Sequence, residues 1–227
     1  MPSKRFQAAK TLVDKNKVYT ITEAIALTKK AATAKYDEAI ELHLRIGIDP
    51  TKSDQQIRGT ISLPHGTGKT KRVAAFVEGD KEADAKAAGA DIVGGEELIA
   101  TIAAKGTIDF DVAVATPAMM PKLAKLARLL GPRGLMPNPK TDTVSPNVTK
   151  MIEEQKAGKE SFKNDNTANI HQIFGRKSFT EAQLEENLRA LLETLKRMKP
   201  QSSKGIYLKS ATIASTIGPG IKVDINS

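Results

Sequence analysis

Along "IELHLRIGI", Ile40, Leu42, Leu44, Ile46 and Ile48 alternate with Glu41, His43, Arg45 and Gly47. A period of two puts all the apolar side chains on one side, so the stretch predicts a strand with one buried face. "IRGTISLP" predicts a second strand that stops at Pro64. Before them, "SKRFQAAKTLVDKN" and "TITEAIALTKKAA" predict two helices, and Thr20 followed by Glu23 fits a capping box for the second.

The middle of the chain has another rhythm. The short apolar runs "RVAAFV", "DIVG" and "FDVAVAT" predict strands. The stretches "DKEADAKAAGA", "EELIATIAAKG", "PAMMPKLAKLARLLG" and "PNVTKMIEEQKAG" predict helices, the third opening on Pro117. Strands alternating with helices argue for a parallel sheet of Rossmann-like type. The last part returns to strands. "SFKND" and "NIHQIFG" predict a hairpin, and "GIYLKSATIAST" and "IKVDIN" predict closing strands. Between them, Leu184, Leu188, Leu191, Leu195 and Met198 form one stripe of a long helix.

Charge sharpens this division. The 227 residues carry a formal net charge of +9. Residues 1–67 contribute +4, residues 68–158 only +1, and residues 159–227 another +4. Seven of the nine aromatic residues also lie in the outer parts, leaving only Phe76 and Phe110 in the middle. The expected architecture is α/β with two domains. Residues 1–67 and 159–227 form a discontinuous α+β domain from both termini, and residues 68–158 form an inserted Rossmann-like α/β domain. A surplus of cation points to an anionic partner, most often nucleic acid.

Other bulk features set the setting. Cysteine is absent, which removes disulfides and thiolate metal sites and fits a reducing compartment. No apolar run approaches the roughly 18 residues of a membrane span, and "MPSKRFQAAK" lacks the pattern of a secretory signal. The expectation is a cytoplasmic protein with no membrane partner.

Enzyme motifs fail on spacing. "HGTGKTK" carries Gly66, Gly68, Lys69 and Thr70 in the order of a phosphate-binding loop. The full motif needs a glycine five residues before Gly68, where Leu63 stands. It also needs a helix to follow, because the helix N-terminus supplies the phosphate-binding amides; here "RVAAFV" reads as a strand. Gly66 and Gly68 read instead as one strand of a two-chain hinge, with Gly158 on the return. No dinucleotide-binding G-x-G-x-x-G follows the first middle strand. The histidines, His43, His65 and His171, have no ligand-type spacing, and Asp111 precedes its strand instead of following it. The reading is of a protein without catalytic residues, metal or cofactor.

RNA binding needs cations for phosphate and stacking or hydrogen-bonding groups for structured loops. Lys4, Arg5 and Lys10 lie along the first helix; Lys29, Lys30 and Lys35 lead to Tyr36; "FKNDNTANIH" is dense in hydrogen-bonding groups. "STIGPG" offers Thr216 and, at Gly218, a backbone without a Cβ to hold a ribose or base away.

The segments "ATAKYDEAIEL", "RGTISLPHGTGK", "AGADIVGGEEL", "LGPRGLMPNPKTDTVSPNV", "FKNDNTANIH" and "KGIYLKSATIASTIGPG", in their chain order, resemble the L-one family of bacterial large-subunit ribosomal proteins. The resemblance runs over nearly the whole chain, and "LGPRGLMPNPK" is its most specific part. It implies the two-domain fold outlined above. It also implies binding to large-subunit ribosomal RNA at the mobile stalk beside the tRNA exit site, where the stalk assists release of deacylated tRNA. Many members also bind their own messenger and repress its translation. The implied partners are thus ribosomal RNA, exit-site tRNA and the protein's own messenger, with the free protein a monomer. The family's RNA-contacting positions fall on Lys35, Tyr36, Glu41, Asp165, Thr167, His171, Thr216, Ile217 and Gly218. Phe is usual where this chain has Tyr36, and Met where it has Ile217. "LGPRGLMPNPK", with three prolines and two glycines, reads as a rigid loop after a helix ending near Leu130.

Overall fold

The computed structural model describes residues 3–225. Helix α1 (Lys4–Thr11) starts where the Ser3 side chain accepts from the Phe6 N–H. Helix α2 (Ile21–Ala31) opens on the expected capping box, with Thr20 and Glu23 each accepting the other's backbone N–H. Strand β1 (Ala39–Ile46) buries Ile40, Leu42, Leu44 and Ile46. It ends there, so Ile48 lies beyond the strand. Strand β2 (Arg58–Ser62) follows. Strand β3 (Val73–Phe76) is buried at every position. Helix α3 (Glu82–Ala87), strand β4 (Ile92–Gly94), helix α4 (Glu96–Lys105) and strand β5 (Val112–Ala115) come next.

The single helix expected from Pro117 is broken. A 3-10 turn at Pro117–Met119 precedes α5 (Met120–Leu123), and a second at Ala124–Leu126 precedes α6 (Ala127–Leu130). Pro121 has no N–H to donate, which favours short turns over one continuous ladder. Met119, Leu123, Leu126 and Leu130 still share one buried side, because 3-10 and α turns have similar periods. The chain continues through α7 (Val148–Lys156), β6 (Lys159–Lys163), β7 (Asn169–Arg176), α8 (Glu181–Arg197), β8 (Leu208–Ser215) and β9 (Ile221–Val223). A second capping box, Thr180 with Gln183, opens α8.

Contacts divide the chain into two units. One takes residues up to Gly68 and from Ser161 onward; the other is Lys69–Glu160. Lys159 and Glu160 belong to the second unit for a visible reason. The Lys159 ammonium bonds Glu154 at 2.7 Å and Asp142 at 3.0 Å, and Lys71 pairs with Glu160 at 2.9 Å.

The first unit is built on an antiparallel sheet in the order β7-β1-β8-β9. Helices α2 and α8 pack on one face, where Leu184, Leu188, Leu191 and Leu195 meet Ile40, Leu42, Leu44, Ile170, Phe174 and Ile213. The expected hairpin of "SFKND" and "NIHQIFG" does not form as one. Strand β6 pairs with β2, while β7 pairs with β1. Asn164 diverts the chain: its N–H donates to the Ile57 carbonyl at 3.1 Å, and its side-chain oxygen accepts from the Ile57 N–H at 2.7 Å. A single bridge, Asn164 to Ile170, is what remains of the hairpin.

The second unit has a parallel sheet in the order β4-β3-β5. Alternate residues of β3 enter two cores. Ala74 and Phe76 pack with Ile99, Ile102, Leu123 and Leu126 on one side; Val73 and Ala75 pack with Ala85, Val148 and Ile152 on the other. Helices on both faces explain why β3 is apolar throughout and shows no alternation.

Candidate nucleic-acid interface

With α2 and α8 on one face of the four-stranded sheet, the residues between the core positions form the other. The register puts Glu41, His43 and Arg45 of β1 beside Ile173, His171 and Asn169 of β7. On the opposite side they meet Ala214, Thr212 and Ser210 of β8, and Thr212 is followed by Lys222 of β9. This face is polar and partly basic. It also carries Ile173 at 40% exposure.

His43 and His171 stand directly opposite each other, with Nδ1 atoms 2.8 Å apart and ring centroids 5.0 Å apart. A bond between two Nδ1 atoms requires one to carry a proton and the other to lack it. Burial, and then the neighbouring His171 ring, pull His43 below its ordinary value of 6.5, against the opposing pull of Glu41. The unfolded chain therefore binds this proton more readily than the folded one. The linked stability is present above about pH 6.5 and is lost as pH falls through the folded value. Thermal melts between pH 8 and pH 5 are expected to show a falling melting temperature on the acid side. A His43→Gln variant is expected to show a shallower fall.

Two loops bracket the face. Just before β1 stand Lys35 and Tyr36, both exposed, Tyr36 at 54%. Across from them, the Thr216 hydroxyl accepts from the Ala39 N–H at 3.0 Å, and the Thr216 N–H donates to the Ala39 carbonyl at 3.1 Å. Glu38 ties the two segments together. Its carboxylate is wholly buried, accepting from the Ala34 N–H at 2.7 Å and from the Ile217 N–H at 3.4 Å. Its carbonyl accepts from the Lys177 N–H. The structure thus brings Lys35, Tyr36, Thr216, Ile217 and Gly218 to one end of the sheet, next to Glu41. A Cβ placed on Gly218 would lie 2.4 Å from the Ser215 hydroxyl oxygen, which is buried and unpartnered among the described residues. A side chain at position 218 would have to displace that hydroxyl.

Asp165 and Thr167 sit at the opposite end, about 20 Å away along β1 at the usual rise per strand residue. The Asp165 carboxylate accepts from the Asn169 N–H at 2.7 Å, the Thr167 hydroxyl at 2.7 Å and the Thr167 N–H at 2.8 Å. The Asn169 N–H, followed by the Thr167 hydroxyl, holds its carboxyl far below the usual carboxylate range. Asp165 is therefore committed to shaping its own loop, while Thr167, Asn169 and His171 carry polar edges outward. His171 Nε2 lies 3.6 Å from Asp165.

Lys4 and Arg5 are exposed on α1, which packs against α2, a helix of the opposite layer. Three residues that the sequence reading left out belong to the site: Glu38, Arg45 and Ser215. Arg45 was legible from the alternation of β1. The buried roles of Glu38 and Ser215 were not, because their neighbours are distant in sequence.

The enzyme-like stretch resolves structurally. After Gly68 the chain runs into β3, so the loop does not open a helix of its own. Lys69 pairs with Asp111 at 2.9 Å, and the Arg72 N–H donates to the same carboxylate at 3.0 Å. Asp111 is thus an anchor for the start of β3. Gly66, Gly68 and Gly158 have φ of 62°, 73° and 96°. In "LGPRGLMPNPK", Asn138 caps the turn at Pro139–Thr141, and its N–H donates to the Thr143 hydroxyl. Those bonds make the segment a self-bonded turn after α6. Among the described residues, no group of three or more His, Cys, Asp or Glu side chains could hold a metal ion.

Comparison with known proteins gives the family. Residues 27–219 match the ribosomal protein L1p/L10e family. The large ribosomal subunit protein uL1 of Kosmotoga olearia is 54% identical over 98% of this chain and 96% of its own length. Its counterparts are similarly close: that of Saccharopolyspora erythraea is 54% identical over 99% of this chain and 94% of its own, and that of Streptomyces avermitilis 51% over 99% and 92%. With most of its length matched by the family and half its residues identical to those of these relatives, the chain belongs to the ribosomal protein L1p/L10e family.

Proposed function

We propose that the chain is a structural constituent of the large ribosomal subunit in the cytoplasm, binding ribosomal RNA at the mobile stalk beside the tRNA exit site. The observation that carries this reading is the open sheet face, which gathers Tyr36, Glu41, His171, Thr216 and Gly218 from segments far apart in sequence. Lys35 and the other cations of this unit supply phosphate attraction. Thr216 and the bare backbone at Gly218 suit 2′-hydroxyls, which distinguish RNA from DNA. Tyr36 offers a stacking surface, and Ile217 is anchored beside it through Glu38. Lys4 and Arg5 on α1 add cations for flanking phosphates.

The remaining parts fit one scheme. The terminal segments form the RNA-binding domain, and the middle forms a Rossmann-like insertion. Gly66 and Gly68 serve as the hinge at one chain crossing, and Gly158 stands just inside the inserted unit before the other. The free protein is a monomer and needs no cofactor. Motion of the stalk assists release of deacylated tRNA. A messenger that copies the ribosomal RNA element would occupy the same face, and this protein represses its own messenger in that way.

Co-sedimentation with large ribosomal subunits across a salt series tests the reading. The protein is expected to pellet with subunits at 0.1 M salt and to dissociate progressively as salt rises. Protein left free at low salt would contradict the proposal.

A further inference from the structure

At the outer edge of the same sheet lies a groove of about 620 Å³. Strand β9 pairs only with Ala211 to Ile213, so β8 runs on past it toward Leu208, and the groove occupies the space left there. Four lysines line it: Lys196, Lys199, Lys209 and Lys222. Lys196 and Lys199 donate to the carbonyls of Ile225 and Gly205, bonds that cancel no charge. Lys209 and Lys222 are in no ion pair among the described residues. Among the described residues, Asp224 is the only carboxylate in the lining.

Two further observations give the groove a ligand and a direction. Ser210 and Thr212 line it and also stand opposite Arg45 and His43 on the open face. The groove is therefore continuous with the candidate RNA interface over the β8–β9 edge. Tyr207 lines it as well, is only 7% exposed, and has a buried hydroxyl with no hydrogen-bond partner among the described residues. Burial pushes that hydroxyl up to about 12, so it stays protonated and able to donate. An unmet buried donor costs stability unless something completes it.

We propose that this groove is a second RNA subsite, in which Lys199, Lys209 and Lys222 hold the phosphate backbone of the segment flanking the element bound on the open face, and the Tyr207 hydroxyl donates to an RNA oxygen. The inference rests on the RNA-binding reading above. A polyanion fits the groove better than an acidic protein segment because the lysines come from α8, the segment after it, β8 and β9, with Ser210 and Thr212 among them in the lining. Cations with serine and threonine are the usual phosphate contacts.

The test compares the full chain with a Lys199→Ala/Lys209→Ala/Lys222→Ala variant and with Tyr207→Phe, on a large-subunit ribosomal RNA fragment with natural flanks. The triple variant is expected to flatten the dependence of log affinity on log salt by about 2, at roughly 0.7 to 0.9 per phosphate contact. On an RNA trimmed of its flanks, the triple variant and the native chain are expected to bind alike. Tyr207→Phe is expected to weaken binding about threefold to tenfold while the melting temperature of the free protein stays level or rises, since the unmet donor is gone. A hydroxyl with no ligand would leave affinity untouched, and that result would remove Tyr207 from the subsite. An unchanged salt slope in the triple variant would overturn the proposal, as would displacement of a polyglutamate probe without any change in RNA binding. If the native chain itself fails to bind the fragment, the RNA-binding reading falls first.

Discussion

Replacing Glu38 with alanine is expected to lower stability by about 2–3 kcal/mol, since it strips the acceptor from two backbone N–H groups in a buried setting. The acceptor oxygens serve Ala34 and Ile217. Those residues flank the two segments that carry Lys35, Tyr36 and Thr216, so the loss should spread to the face. RNA affinity is expected to fall at least tenfold, although Glu38 is wholly buried and touches no ligand. Glu38→Gln retains one acceptor oxygen and the shape of the side chain, and should recover part of both losses. Urea midpoints and RNA titrations on the three proteins check this. A stable Glu38→Ala protein with native affinity would show that the two segments need no tie.

How much of this was legible in the sequence depends on the range of the interaction. The apolar face of β1 was readable from alternation among neighbours, and both the Thr20 cap and the leucine stripe of α8 act within a few residues. The hairpin failed because its rival is distant. Asn164 satisfies both backbone groups of Ile57, 107 positions earlier, and this outweighs the local preference to turn back on β7. The helix after Pro117 kept its buried side but lost its continuity, since spacing alone does not separate α from 3-10 turns. Lys159 gave no local sign that it would bond Glu154 and Asp142.

The site divides in the same way. Tyr36, Glu41, His171 and Thr216 were named as separate residues; the register sets Glu41 and His171 on one face, and Tyr36 and Thr216 stand at its end. Asp165 was named as an RNA contact, yet its carboxylate is filled by its own loop. Glu38 escaped notice because the Ile217 N–H that it accepts lies 179 positions away. A carboxylate in a polar loop gives no sequence sign that it is buried.

Thr216→Ala carries the second large effect. Thr216 is exposed at the end of β8, with its hydroxyl joined to Ala39. Losing it removes a hydroxyl for RNA and loosens the β1–β8 end, at a cost of about 1.4–2.8 kcal/mol in binding, or roughly tenfold to a hundredfold. Lys122 is the informative control. It lies in the other unit, paired with Glu96 at 2.7 Å, and exposed pairs of that kind contribute about 0–1 kcal/mol. The most direct measurement is therefore a titration of a large-subunit ribosomal RNA fragment with the native chain, Thr216→Ala and Lys122→Ala at one fixed salt concentration. The account predicts a tenfold or greater loss for Thr216→Ala and less than a twofold change for Lys122→Ala. Equal losses in the two variants would contradict it.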